Sequence, residues 1–212
     1  MKIVIFSDVH GNIKALENLY KKEVDADLFI FLGDAVGYSP FGLDCFDFLN
    51  DSVKTIKIIG NHEEMFLKGE PHSSCSELAK LFFYASYSPF SEKQLISLNQ
   101  WNEVYKYNQW NFKHTLENRH IYPNTNLDNN NLLENTFIGH SHIQFVRKIG
   151  NSYLVNPGSI GQNRKDKNIA QYAVLSSENN SVEFNSFFQS VDYIVEEMRV
   201  RKYNPSLINY YL

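Results

Sequence analysis

Short apolar runs that stop abruptly at clusters of glycine, aspartate, asparagine and histidine are the strongest constraint on how this 212-residue chain can fold. Lys2–Phe6 runs into Ser-Asp-Val-His-Gly at 7–11, residues 27–32 into Gly-Asp at 33–34, residues 53–59 into Gly-Asn-His-Glu at 60–63, and residues 135–138 into Gly-His-Ser-His at 139–142. A weaker alternating run over 105–112 leads to Lys113 and His114. Runs this short and this rich in Ile, Val and Phe read as buried strands. Helix-spaced apolar residues separate them: Ile13, Leu16, Leu19 and Tyr20 within 12–22, with similar patterns at 43–49, 76–87 and 91–98. Strand alternating with helix predicts a parallel or mixed sheet with helices on its faces. Ligands of such sheets gather beyond the carboxyl ends of the strands, where each polar cluster falls.

From about residue 144 the texture changes. Strand-like pieces at 144–149, 153–155, 170–175 and 182–188, with turn signals at Gly150-Asn151 and Glu178-Asn179-Asn180-Ser181, predict a second, more antiparallel sheet. Residues 191–211 hold a helix, and the Asn-rich stretch 124–131 reads as an exposed loop. The length suits one domain over 1–212, with residues 66–110 forming one wall of a cleft. The 16 Phe and 13 Tyr read as core rather than as an aromatic cage. A net charge of −4 without a basic stripe draws the chain to neither nucleic acid nor anionic membrane, so a large nucleic-acid substrate is not expected. Cys45 and Cys75, isolated from each other and from the clusters, read as reduced thiols. The first apolar run is too short for a signal-peptide core or a membrane span, so the expected compartment is the cytoplasm.

Asp8 and His10 are two apart, and in an extended strand end that spacing points a carboxylate and an imidazole to the same side. His140 and His142 repeat the pattern. Each motif alone has an ordinary reading as a solvated loop or a turn; their weight comes from position. Asp34 stands at the end of the second run, and its two oxygens can bridge two cations. Asn61 offers a neutral carbonyl oxygen, and His62 beside it carries a titratable proton. Five of the seven histidines fall in these clusters; His72 and His120 do not. Asp, Asn and His donors without Cys suit divalent Mn, Fe, Ni, Co or Zn rather than a structural zinc–thiolate site. Two such ions roughly 3.5–4 Å apart suit displacement at phosphorus, because they clamp attacking and leaving oxygens.

Asp8-Val9-His10-Gly11-Asn12, Gly33-Asp34-Ala35-Val36-Gly37-Tyr38, Gly60-Asn61-His62-Glu63, Gly139-His140-Ser141-His142 and Asn156-Pro157-Gly158-Ser159-Ile160-Gly161 follow one another in an order that resembles the calcineurin-like metallophosphoesterases, especially their small bacterial single-domain branch. The resemblance implies a four-layer α-β-β-α sandwich, two mixed sheets face to face with flanking helices. It implies that Asp8, His10 and His142 hold one metal ion, that Asn61, His114 and His140 hold another, and that Asp34 bridges them. His62 matches the histidine that serves the leaving group. His114 is followed by Thr115, where the family often has glycine, and His120 is the alternative ligand. Gly37 stands near the place where protein-phosphatase-like members carry an acid that orients the catalytic histidine. Asn12 reads either as a donor to phosphate at a helix N-terminus or as a plain N-cap. Arg164 reads either as a phosphate contact or as a solvated loop residue, and Glu63 and Glu64 as the acidic first turn of a helix. The expected reaction is hydrolysis of a phosphodiester of a small molecule or nucleotide, by attack of a metal-bridging hydroxide with His62 assisting departure. The alternatives are a phosphomonoesterase or protein phosphatase with the same centre, and a non-catalytic binding module of the same fold.

Overall fold

The computed structural model describes residues 1–127 and 132–212, so part of the Asn-rich stretch at 124–131 lies outside the described residues. β1 (Lys2–Phe6) lies at the middle of the first sheet. On one side it pairs in parallel with β2 (Leu28–Phe31), which pairs in parallel with β3 (Thr55–Lys57). The second sheet holds β4 (Val104–Tyr107), β5 (Trp110–Lys113), β6 (Asn135–Phe137), β7 (Phe145–Ile149) and β8 (Ser152–Asn156), in the order β4-β5-β6-β8-β7. There β5, β6 and β8 run parallel, and the two edge strands run antiparallel. β9 (Ile169–Ser176) and β10 (Val182–Phe188) complete the first sheet as an antiparallel pair beside β1.

Both sheets are mixed, as expected, but the strands after residue 144 do not make a sheet of their own. β7 and β8 join the second sheet, and β9 and β10 return to the first. Pairing partners are chosen by burial across the whole molecule, which local alternation cannot report. The weak run at 105–112 is likewise two strands, β4 and β5, folded back at Asn108 (φ 50°).

The period of two along each strand builds two cores. Ile3, Ile5 and Ile30 face the second sheet and pack with Phe112, Phe137 and Val155. Val4, Phe6, Phe29 and Phe31 point the other way, against α1 (Ile13–Lys22) and α2 (Gly42–Asp51). Each of these buried side chains contributes about 1.5–3 kcal/mol of transfer free energy. Phe83, Phe90, Leu98 and Trp101 extend that core through α4 (Glu77–Ser86) and α5 (Glu92–Leu98), after α3 (Asn61–Lys68). The aromatics of 66–110 thus serve mainly as packing. α6 (Asp192–Val200) and α7 (Pro205–Asn209) close the chain with Phe82 over a smaller cluster. The outer face of the second sheet is covered, among the described residues, by irregular chain carrying Leu116, Ile121 and Leu127 rather than by a helix. Both cysteines are free, and no helix among the described residues is long and apolar enough to cross a membrane.

Candidate metal centre

The carboxyl ends of β1, β2, β5 and β6 open toward one another, and the clusters of the sequence meet there. The local geometry differs from an extended strand end. β1 stops at Phe6, and Asp8 (φ 55°) and His10 (φ 46°) both take the left-handed region. So do Asp34 (φ 67°), His140 (φ 67°) and His142 (φ 59°). Such backbone is uncommon away from glycine and persists only where the surroundings hold it. The hold is visible in the hydrogen bonds. His10 N–H donates to Asp34 O (3.0 Å), Asp8 N–H to Gly33 O (3.0 Å), and Gly161 N–H and Ser159 Oγ both donate to Asp8 O. Asn156 Nδ2 donates to Gly139 O (2.7 Å) and Ser141 Oγ (3.1 Å), tying down the loop that carries His140 and His142. Asp8 and His10 do converge on one side, through a tight turn rather than a pleat.

Three histidines spend one ring nitrogen on the backbone. Nδ1 of His10 lies 3.0 Å from Val36 O, Nδ1 of His114 2.8 Å from Leu32 O, and Nδ1 of His142 2.9 Å from Gln162 O. A carbonyl only accepts, so each Nδ1 carries a proton; in a neutral ring Nε2 then presents a lone pair to the interior, and on His114 it does so once its second proton leaves. His10 Nε2 and His142 Nε2 are then two acceptors 3.2 Å apart. Asp8 Oδ1 stands 3.2 Å from His142 Nε2 and 3.8 Å from His10 Nε2. Asp34 Oδ2 stands 3.2 Å from His114 Nε2 and 3.8 Å from His10 Nε2, and Asn61 Oδ1 is 2.9 Å from His114 Nε2. Lone pairs and carboxylates facing one point repel unless a cation lies between them, and the mixed N and O donor set suits divalent transition ions. Ligand atoms group within 4.8 Å as Asp8, His10 and His142; as Asp34, His114 and His140; and as His10, Asp34 and His62.

Electrostatics agree with that reading. Burial alone would raise the Asp34 carboxyl, but the His114 and His62 imidazoles hold it well below the usual carboxylate range. Burial also opposes charge on His114, yet the Asp34 carboxylate overrides it and lifts the imidazole to about 10. His140 moves the other way, to about 3, through burial and then the neighbouring His114. The centre is a buried pool of negative charge that protons occupy unevenly.

His62 is buried at the start of α3 with its ring 4.7 Å from His10 and 5.4 Å from Tyr38. A Cβ at Gly37 (φ +87°) would stand 2.3 Å from His62 Nδ1, so glycine is required where an orienting acid might have been. Ring contacts with His10 and Tyr38 frame His62, its backbone N–H donates to Asp34 Oδ1 (2.9 Å), and its buried Nδ1 has no hydrogen-bond partner among the described residues. Sequence reasoning placed Glu63 in a helix's first turn, where it is, but missed its other task. Glu63 is fully buried and its carboxylate accepts the N–H groups of Asp34 (2.8 Å), Ala35 (2.7 Å), Val36 (3.2 Å) and Gly60 (2.9 Å). Burial, then the Asp34 charge, push its carboxyl up to about 7, while the four donors favour the charged form. Glu63→Ala leaves those buried donors without an acceptor and should destabilise the protein by about 3–5 kcal/mol in denaturant melts. Glu63→Gln, which keeps one acceptor oxygen, should lose less. The available signal in the sequence was Glu63 three residues after Gly60, the spacing of a capping box.

Asn12 caps α1, its Oδ1 accepting from Ala15 N–H (3.1 Å) and Tyr193 OH (2.8 Å), while its buried Nδ2 has no partner among the described residues. Arg164 is exposed, two residues beyond the Gln162 carbonyl that fixes His142. His120 is exposed and its ring lies 3.8 Å from that of His140, tilted by 32°, outside the three ligand groups; His72 is bonded to Ser74.

A family model described as the calcineurin-like phosphoesterase superfamily domain matches residues 1–180. The chain is 26% identical over 207 residues to the uncharacterized protein MJ0912 of Methanocaldococcus jannaschii, covering 85% of each. Its fold is similar to a metallophosphoesterase from Sphaerobacter thermophilus, with a TM-score of 0.80 at 22% identity and 100% and 98% of the two chains covered. It is also similar to the hypothetical protein PH1004 of Pyrococcus horikoshii OT3, with a TM-score of 0.83 at 14% identity and 99% and 97% covered.

Proposed function

The chain belongs to the calcineurin-like phosphoesterase superfamily, and from that membership we propose that it is a cytoplasmic, dinuclear metal-dependent hydrolase of a phosphodiester in a small molecule or nucleotide. Asp8, His10 and His142 would hold one ion and Asn61, His114 and His140 the other, with Asp34 placed to serve both. The observation that carries this reading is the pair of bare Nε2 atoms of His10 and His142, 3.2 Å apart beside Asp8, with both Nδ1 protons already committed to carbonyls. When bound, the two ions would offset the charge of the phosphate and acidify the attacking water. The protein's own part is positioning. Backbone carbonyls fix the tautomers, Glu63 and Ser159 fix the loops of Asp34 and Asp8, and the free Nδ2 of Asn12 is offered as a donor to a phosphate oxygen. His62, framed by His10 and Tyr38, would donate a proton to the leaving oxygen or stabilise its charge.

The deciding experiment is a panel assay with Mn²⁺ or Ni²⁺ on bis-p-nitrophenyl phosphate, p-nitrophenyl phosphate, cyclic nucleotides and phosphopeptides. Turnover of the diesters above the monoesters is expected; preference for monoesters would reassign the substrate class, and inertness toward all would end the enzymatic reading.

Metal uptake gives a separate test. Purified protein should bind close to two Mn²⁺ per chain. An imidazolium cannot be a ligand, and in the metal-free centre His114 keeps its proton until pH rises through about 10. Below that pH, binding must expel the proton, so affinity should increase with pH by up to about tenfold per unit for one proton. A pH-indicator titration that detects no proton release at neutral pH would show that His114 is already neutral in the metal-free centre, and retained metal in His114→Ala would remove it from the ligand set.

A further inference from the structure

Two cations leave the metal centre together along one short stretch of chain. Gln162 O accepts from the candidate ligand His142, and Tyr211 OH in turn binds Gln162 Nε2. Two residues on, Arg164 Nη1 donates to Tyr210 OH at 3.1 Å. Lys167 Nζ stands 4.5 Å from the centroid of the same Tyr210 ring and donates to Asn163 O at 3.0 Å. Tyr210 packs on Tyr38 at 6.1 Å, and Tyr38 lies against His10 and His62. Arg164, itself exposed, is thus tied through Tyr210 and Tyr38 to the His10 and His62 side of the centre.

Neither cation has a carboxylate partner among the described residues. Lys2 with Glu23 and Arg201 with Glu197, each at 2.7 Å, show the usual arrangement elsewhere in this chain. Asp166, which lies between the two in sequence, turns its Oδ1 to Asn168 instead. Lys167 is half-buried, and burial followed by the Arg164 charge brings its ammonium down to about 8. In a chain of net charge −4, two like charges held side by side on one tyrosine, at the entrance to a phosphate-binding centre, suit a bound anion.

We infer that Arg164 and Lys167, held in place by Tyr210, form a second anion subsite at the mouth of the metal centre, which takes a second phosphate group of the same substrate. The inference rests on the proposed function and narrows its substrate to small molecules carrying more than one phosphate. Tyr210 is a positioning residue in this arrangement.

The test is a calorimetric titration of metal-loaded protein with AMP and with ADP, the metal in excess over nucleotide, beside an assay on bis-p-nitrophenyl phosphate. ADP should bind about tenfold or more tightly than AMP. That ratio should fall to near one in Arg164→Ala and in Lys167→Ala. In Tyr210→Phe, which keeps the ring on Tyr38 and removes the hydroxyl that fixes Arg164, it should fall partway. His72→Ala, at an exposed site bonded only to Ser74, should keep the wild-type ratio. Equal affinity for the two nucleotides in the wild type, or an unchanged ratio in both cation variants, overturns the subsite. If bis-p-nitrophenyl phosphate is hydrolysed without nucleotide discrimination, the subsite falls and the hydrolase reading stands. If discrimination depends on Arg164 and Lys167 but no ester is hydrolysed, the subsite stands and the hydrolase reading falls.

Discussion

Asp34→Asn should leave the protein folded, bring its metal content down from close to two ions per chain to one or fewer, and slow hydrolysis on the order of 10³-fold or more. The substitution keeps size and shape. Its Oδ1 can still accept the His62 N–H, now 2.9 Å from the Asp34 carboxylate, so α3 keeps its attachment. What disappears is the negative charge that stands 3.2 Å from His114 Nε2 and 3.8 Å from His10 Nε2, between the two ligand groups. A bound ion stabilises the charge of a phosphoryl transition state by several kcal/mol, and each ~1.4 kcal/mol is tenfold in rate. Metal analysis and turnover on the same preparation decide the matter, with near-native circular dichroism as the check on folding. Full metal content with wild-type turnover would place Asp34 outside the centre. The same series sorts the histidines: His114→Ala should lose metal, whereas His120→Ala and His72→Ala should retain it.

The second large effect is expected at His62. His62→Ala should keep both ions, because Asn61 is untouched, and turnover should fall roughly 10²–10⁴-fold, the usual worth of a positioned proton donor. The loss should depend on the leaving group. An alkoxide needs a proton as it departs, so esters of ordinary alcohols should suffer most. A p-nitrophenolate leaves well without one and should suffer least. His62 also falls within 4.8 Å of His10 and Asp34 as a possible ligand, and the experiment separates that role, since a ligand's removal would show as lost metal. Equal slowing of two esters whose alcohols differ widely in pKa, with metals retained, would rule out proton donation.

The framework of this protein was legible along the chain. Runs such as Lys2–Phe6 declare themselves because a buried strand needs continuous apolar residues, and such a run has to end where polar residues begin. Asp8, Asp34, Asn61 and His140 are therefore visible as strand-end positions in the sequence alone, and helix spacing places α1 and α4 within a residue or two. The helical start at Glu63 was also local information, an acid in a first turn.

Other features exist only in three dimensions. The sequence cannot say that β9 returns to pair with β1, since its alternation is satisfied by any partner with an apolar face. It cannot distinguish a pleat from the left-handed turn that actually aims Asp8 and His10, because that turn is held by Gly33, Asp34, Ser159 and Gly161, distant in sequence. Glu63 reads as a helix-starting acid until Asp34, Ala35 and Val36 bring their N–H groups to it across 27–29 residues of chain. The tie from Tyr210 to Arg164 spans 46 residues and leaves no periodic trace. Local composition determined which residues are polar, which are buried and where the elements stop, because those depend on transfer from water and on neighbours along the chain. Tertiary structure decided which lone pairs face one another, because tautomer, charge and aim are set by contacts that only the folded chain makes.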